Sequence, residues 1–369
     1  MRGTTIVDRG WMGRAAGRLC LSALLFMAGC GSPELASTPT GAKGATGTGG
    51  SGLKLLFVTN SNSDWWNAVE RGMSHGGEDF GLAVEMKRND RETSGQIRLL
   101  EDAISRTDVR GVAVSVYEAE APGIADALRE LQRAGKAVIT IDSDIAPDAA
   151  DARRAYIGSN NVHAGEVAGR AAAAIRPGGG KVCVFVGTSS AANARDRKDG
   201  FFKGAGDKFI PLEVFDDGGD FARASSNVQT AITKYPDLGV LLGLWSYNAT
   251  RIAQQVKASP EVRERTSVVT FDLDELAVHD LAAGDIDATV CQNPYEMGYQ
   301  GVRLLKALIE KDERAVKEVL PDGKTRDTGV RVIVPHADSP VFKNKEQGDE
   351  VLTIEDMKKW LEQRGLKSS

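Results

Sequence analysis

The chain has 369 residues, 41% of them apolar and 26% charged, a globular composition long enough for two domains, which excludes wholesale disorder and a collagen-like fibre. Its net charge of −5, with Lys and Arg scattered rather than gathered in runs, offers no basic track for a phosphate backbone, so no nucleic acid partner is expected. His75, His163, His279 and His336 stand far apart, and no Cys-x-x-Cys or His-x-x-x-His spacing begins a metal site, so neither metal nor cofactor is expected.

Residues 1–29 place Arg2, Arg9, Arg14 and Arg18 ahead of an apolar run from Leu19 to Ala28, the order of a secretory signal. That run is shorter than the ~20 apolar residues of a bilayer-spanning helix. It ends in Met27-Ala28-Gly29-Cys30, which resembles the lipobox of bacterial lipoproteins and implies cleavage before Cys30 and acylation of its thiol. Residues 30–52 are rich in Gly, Ser and Thr and read as a flexible tether rather than a phosphate loop, because their GTGGSG precedes a strand instead of following one. An acylated Cys30 plus a tether describes a soluble body leashed to a membrane. Cys183 and Cys291 sit in apolar runs and read as buried thiols, although an oxidising compartment would permit a disulfide.

From Leu53 onward short β-branched runs alternate with amphipathic stretches, the signature of βαβ units and parallel sheets. Strands are predicted at 53–58, 83–87, 111–116, 137–141, 181–186, 212–215, 240–244, 267–271 and 288–291. Helices are predicted at 64–80, 94–106, 121–134, 162–175, 222–234, 249–259, 274–283 and 295–310. This is too many strands for one modest sheet, so two doubly wound lobes are expected. A weak internal repeat agrees: Val138-Ile139-Thr140-Ile141-Asp142-Ser143-Asp144 parallels Val268-Val269-Thr270-Phe271-Asp272-Leu273-Asp274. Ligands of open α/β sheets bind off the carboxyl ends of strands, so Asp142 and Asp272 fall where a ligand would meet them. Asp144 and Asp274 serve equally well as helix caps.

The segment Thr59 to Trp66 follows the first strand with polar side chains and then two adjacent indoles. Neighbours on a helix do not share a face, so at most one Trp is expected in the core with the other toward the strand ends. Sugar rings present apolar C–H faces to aromatic planes and hydroxyl edges to carboxylates, amides and guanidinium groups.

Seven segments in order, SNSDWWNAVERG, VITIDSD, YIGSNNVHAGEVAG, the loop SSAANARDRKDGF, DFARA, VVTFD and ATVCQNPYEMGYQG, make residues 53–335 similar to type I periplasmic sugar-binding proteins of the ribose-binding kind, the receptors of ABC transporters. The resemblance implies two Rossmann-like lobes with parallel sheets joined by a three-segment hinge: 53–157 with 293–327, and 158–292 with 328–340. Residues 341–369 would form a C-terminal extension with a short helix. The chain would cross between lobes near Tyr156–Asn160, Gln292–Pro294 and Thr325–Gly329, and closure about these hinges would bury the ligand and shape a surface for a permease.

By position the resemblance assigns ligand contacts to Thr59, Ser63, Trp65, Trp66, Ser115, Asp142, Arg195, Phe221, Trp245, Asp272 and Gln292. Asp142, Asp272 and Gln292 would hydrogen-bond hydroxyls, and Arg195 would donate a guanidinium fork unless it pairs with Asp196 or Asp199. Trp65 or Trp66 and Phe221 would sandwich the ring. Ribose receptors carry Asp-Arg where this chain has Asp142-Ser143, and Asn where it has Ser115 and Trp245, so a hexose, another pentose, a polyol or a modified sugar fits as well as ribose. The calcium loop of some relatives has no counterpart here. The expected protein is therefore a monomeric, non-enzymatic, exported lipoprotein that delivers a monosaccharide or polyol to an ABC permease. A sensor presenting a sugar or autoinducer to a membrane receptor would have the same pocket. A glycosidase would use Asp142 and Asp272 as its carboxylate pair, and a sugar-responsive repressor would need an N-terminal helix-turn-helix, where this chain has a signal and tether.

Overall fold

A computed structural model describes residues 53–90, 92–345 and 348–369. The signal, Cys30 and tether lie outside the described residues. The first half runs β1 (Lys54–Val58), α1 (Trp66–Phe80), β2 (Ala83–Lys87), α2 (Thr93–Ser105), β3 (Val109–Val114), α3 (Pro122–Arg133), β4 (Ala137–Ile141), a 3-10 turn at Pro147–Ala152 and β5 (Tyr156–Gly158). Next come α4 (Asn161–Ile175), β6 (Gly180–Val186), α5 (Ala192–Ala205), β7 (Phe209–Asp216), α6 (Phe221–Lys234), β8 (Leu238–Gly243), α7 (Ser246–Lys257), α8 (Pro260–Arg265), β9 (Ser267–Phe271), α9 (Glu275–Ala283) and β10 (Ala288–Cys291). The chain continues through α10 (Pro294–Glu310), α11 (Glu313–Val319), β11 (Thr325–Asp327), β12 (Arg331–Val334), α12 (Pro340–Lys343), β13 (Val351–Thr353) and α13 (Ile354–Glu362).

These strands make two sheets, one ordered β11-β5-β4-β3-β1-β2 and the other β13-β12-β10-β9-β8-β6-β7. Every pairing is parallel except β10 with β12. The result is two doubly wound α/β lobes, as the alternation of elements requires. Strand side chains alternate between faces, so in β1 Leu55 and Phe57 enter the core beneath α1 and α10 while Leu56 and Val58 enter the one beneath α2 and α3. The second lobe repeats this: Val182 and Val184 face the side of α4 and α5, whereas Cys183 and Phe185 face the side of α6, α7 and α9. Cys183 and Cys291 are buried free thiols.

Three features depart from the sequence reading. The stretch read as a loop, SSAANARDRKDGF, is helical from Ala192 onward. Gly200 and Gly204 depress its helix propensity, yet they are what lets α5 lie against α4: a Cβ at Gly200 would strike the Val162 carbonyl, and one at Gly204 the Glu166 carbonyl. Gly165 and Gly169 on α4 make the reciprocal allowance, so two Gly-x-x-x-Gly faces set the position of α5. Second, the short strands β5, β11, β12 and β13 escaped periodicity, because three or four residues carry little pattern and their partners are remote, as in Thr325 opposite Tyr156. Third, residues 341–369 add a strand to the expected short helix: β13 pairs with β12 at the sheet edge, while Met357 and Leu361 of α13 pack into the second lobe's core, as an amphipathic stretch laid on a lobe would.

Candidate functional site

Both repeats end their strands in the same way. Asp142 and Asp272 each adopt φ 59°, a left-handed conformation that is rare outside Gly and more tolerable for Asp, and that turns the chain sharply off the carboxyl end of β4 or β9. Such residues persist where their surroundings over-determine them. Here the Asp142 N–H donates to the Ile157 carbonyl at 3.0 Å, and the Asp272 N–H to the Val290 carbonyl at 2.9 Å. The turns aim both carboxylates into the space between the lobes.

That space is a tight cleft with a cavity volume of about 30 Å³, well below the ~300–1,000 Å³ of pockets that hold a small molecule. Asp142, Trp65 and Trp66 line it from the first lobe, and Asp272, Arg197 and Trp245 from the second. Gln292 joins the lining where the chain passes from β10 to α10. Its side chain donates to the Asp272 carboxylate at 2.9 Å and accepts from the Ser159 hydroxyl at 3.1 Å, tying together two interlobe connections.

The arginine in the cavity is Arg197, not Arg195. Arg197 is almost fully buried, donates through Nε to Asn161 Oδ1 at 2.9 Å and through Nη1 to the Leu244 carbonyl at 2.8 Å, and lies 4.7 Å from the Phe271 ring centre. Its Nη2 has no protein partner. Arg195 lies outside the lining and pairs across the lobes with Glu120 at 3.0 Å rather than with Asp196 or Asp199. The helical phase of α5 explains the exchange: residues two apart point to different sides of a helix, and a loop reading cannot tell them apart.

Other expected contacts fall into two groups. Ser63, Trp65, Trp66, Asp142, Trp245, Asp272 and Gln292 line the cavity. Both indoles do so, contrary to the expected division of labour, and they meet edge to face at 4.9 Å between ring centres. Thr59 and Ser115 are buried outside that lining, and Phe221 is outside it and partly exposed. Ser115 donates to the Asp142 carboxylate at 2.8 Å, and Thr59 shapes the β1 loop by accepting from the Asn89 N–H at 3.0 Å. Phe221 packs on Tyr247 at 4.9 Å, and it is Tyr247 that reaches the lining. Asn193 and Tyr247 were missed along with Arg197. Tyr247 is held by Asp217, which accepts from its hydroxyl at 2.6 Å.

The electrostatics follow from burial. Desolvation pushes the Asp142 carboxyl up to about 6, against the pull of Arg197 and the Ser115 hydrogen bond. Burial likewise raises Asp272, opposed by Arg197 and by Gln292. Burial also raises Asp217 to about 6, countered first by the Tyr247 hydroxyl. Two buried carboxylates thus share one buried guanidinium. Trp65 Nε1, Trp245 Nε1, Arg197 Nη2 and Asn193 Oδ1 are buried without hydrogen-bond partners; the Trp65 N–H is close enough to help hold down Asp272 but does not close a bond to it. An unmet buried polar group costs ~1–3 kcal/mol, so this cavity suits a compact, hydroxyl-rich ligand with apolar faces.

Residues 54–313 match the family profile described as a periplasmic binding protein domain. The chain is 24% identical over 237 residues to a D-ribose/D-allose-binding protein of Pseudomonas aeruginosa, covering 62% of this chain and 72% of that one. It is 22% identical over 244 residues to a ribose import binding protein of Bacillus subtilis, covering 66% and 77%. Among solved structures it resembles an ABC transporter solute-binding protein from Burkholderia graminis in complex with D-arabinose, with a TM-score of 0.70, 25% identity and coverage of 76% of this chain and 95% of that one. A second, from Agrobacterium vitis with bound D-fucose, superposes with a TM-score of 0.70 at 23% identity, covering 79% and 99%.

Proposed function

The chain belongs to the periplasmic binding protein family, among the type I sugar receptors of ABC transporters, and we propose that its cleft captures one neutral monosaccharide or related polyol for delivery to a permease. The observation that carries this reading is the cavity itself, where Asp142, Asp272, Arg197 and Gln292 ring three indoles and several buried polar atoms lack partners. Hydroxyl groups would satisfy those atoms and the indoles would cover the ring faces. Binding without turnover is expected, with closure about the three interlobe connections providing the surface the permease reads. Cleavage before Cys30 and acylation of its thiol would keep the receptor at the extracytoplasmic face of the membrane.

The test is the thermal unfolding midpoint against a panel of pentoses, hexoses, 6-deoxyhexoses and polyols near millimolar concentration. A ligand at ~1,000 times its Kd adds roughly 4 kcal/mol, so one sugar should raise the midpoint clearly, and Arg197→Ala should remove the effect. Silence across the panel, or release of sugar from glycosides by the same sample, would overturn the reading. Recovery of Cys30→Ser in the soluble fraction, with the native chain in the membrane fraction, tests the anchor.

A further inference from the structure

Ser369 is fully buried and pairs twice with Leu273, the residue after Asp272. The Leu273 N–H donates to the Ser369 carbonyl at 2.8 Å, and the Ser369 N–H donates to the Leu273 carbonyl at 2.9 Å. Cys291, packed in the same core cluster as Leu273, precedes Gln292. Gln292 in turn donates to both carboxylate oxygens of Asp272, through its N–H at 3.0 Å and its side-chain amide at 2.9 Å. Ser369 thus backs the turn whose Asp272 carboxylate holds Gln292.

The first lobe shows what this contact replaces. There the residue after Asp142, Ser143, accepts at its carbonyl from the Val116 N–H at 2.9 Å, so the loop after β3 holds the turn. The corresponding position after β8 is Trp245, whose N–H is taken by Asn248 Oδ1 at 3.2 Å. The Leu273 carbonyl therefore receives its hydrogen bond from Ser369 instead. The route to that contact is well built: α13 seats Met357 and Leu361 in the cluster that contains Leu273 and Cys291. Beyond α13 the chain turns at Gly365, φ 63°, with the Leu366 N–H donating to the Leu361 carbonyl at 3.0 Å. All of this lies beyond residue 313, where the family match stops.

We propose that residues 367–369 are positioning residues of the binding site, clamping the Asp272-Leu273 turn in the left-handed geometry that aims Asp272 into the cleft. The proposal rests on the cleft being the ligand site, and its test is separable from that reading. Four full-length-start chains are compared: native, one ending at Leu366, Ser369→Pro, which loses the N–H that donates to Leu273, and Ser369→Ala, which keeps both backbone bonds. Three readouts are taken: hydrogen exchange at the Leu273 amide, peptide-resolved maleimide labelling of Cys291 against Cys183, and affinity for whichever panel sugar most stabilises the native chain.

The expected result is at least tenfold faster Leu273 exchange and Cys291 labelling in the shortened chain, a smaller rise in Ser369→Pro, unchanged Cys183, and affinity at least fivefold weaker in both. Ser369→Ala should match the native chain. Unchanged exchange and labelling would overturn the clamp, as would a parallel rise at Cys183, which would mark general loosening of the lobe, or a loosened turn with undiminished affinity. If no sugar binds the native chain, the ligand reading fails while exchange and labelling still decide whether the clamp exists.

Discussion

Asp142 and Asp272 share one backbone conformation, φ 59° in each, at equivalent places in two lobes that the chain builds from separate segments. The shared geometry makes the cleft an approximately two-fold arrangement of carboxylates, which the single buried guanidinium of Arg197 breaks. Both carboxyls are raised by burial and lowered by that same arginine, so at each of them desolvation outweighs the guanidinium.

The raised Asp142 carboxyl gives the ligand-free protein a pH signature. Because the folded carboxyl, at about 6, holds its proton more tightly than an unfolded one near ~3.9, its contribution to stability is fully present below pH ~4 and is lost as pH rises through about 6. The shift corresponds to something on the order of 3 kcal/mol. Asp142→Asn should therefore unfold at a higher temperature than the native chain at pH 7.5, with the gap closing toward pH 4, while losing at least tenfold in sugar affinity. Calorimetry across that range checks it; a native-like pH profile in Asp142→Asn would show that another group dominates.

Arg197 and Arg195 should separate cleanly in mutants. Arg197→Ala removes the buried donor and strands Asn161 Oδ1 and the Leu244 carbonyl, so a loss of ~2–4 kcal/mol in stability and complete loss of ligand response are expected. Arg197→Lys restores charge without the fork and should recover stability better than affinity. Arg195→Ala breaks only a half-exposed pair with Glu120, worth about 0–1 kcal/mol, and should leave affinity within about fivefold of native. Titration of each variant by calorimetry measures all three.

The seam between α4 and α5 ties packing to the site. Gly204→Ala would place a methyl against the Glu166 carbonyl, where only backbone movement can make room, so α5 must shift and carry Arg197 with it. Overpacking of this kind costs ~1–3 kcal/mol, and sugar affinity should fall together with the unfolding midpoint. Gly206→Ala, just beyond the helix and with open space around it but at φ 79°, should lower stability through backbone strain and leave affinity in place.

How much of this was legible in the sequence depends on how locally each feature is encoded. The alternation of strand and helix, the repeated Asp at two strand ends and the adjacent indoles are local, and they placed Asp142, Asp272, Trp65 and Trp66 on the cavity, whereas Gln292 came through the family resemblance. Arg197 was hidden because α5 carries two glycines whose purpose is contact with a helix some 35 residues earlier in the chain. Phe221 was taken for a ring-facing side chain, yet it stands partly exposed outside the lining and packs on Tyr247, which does line the cavity, a relation set by α6 meeting α7 rather than by either sequence alone. The strands of three or four residues, and the return of Ser369 to Leu273, depend entirely on remote partners.

Trp245 provides the most direct optical test of the site, since its indole lines the cavity with an unpartnered N–H. Gly187, after β6, makes room for it: a Cβ there would overlap the Trp245 ring and come within 2.6 Å of the Tyr247 hydroxyl. Gly187→Ala should therefore push the indole toward the ligand space and weaken a full-sized ring sugar by tenfold or more, while a smaller polyol loses less. Trp245→Phe removes the larger obstruction and the N–H together but leaves the Tyr247 hydroxyl, so in the Trp245→Phe background the added Gly187→Ala should cost less affinity than it does in the native chain. Tryptophan fluorescence titrations of the two single variants and the double variant give the coupling; additive losses would mean that Gly187 acts on the site through some contact other than Trp245.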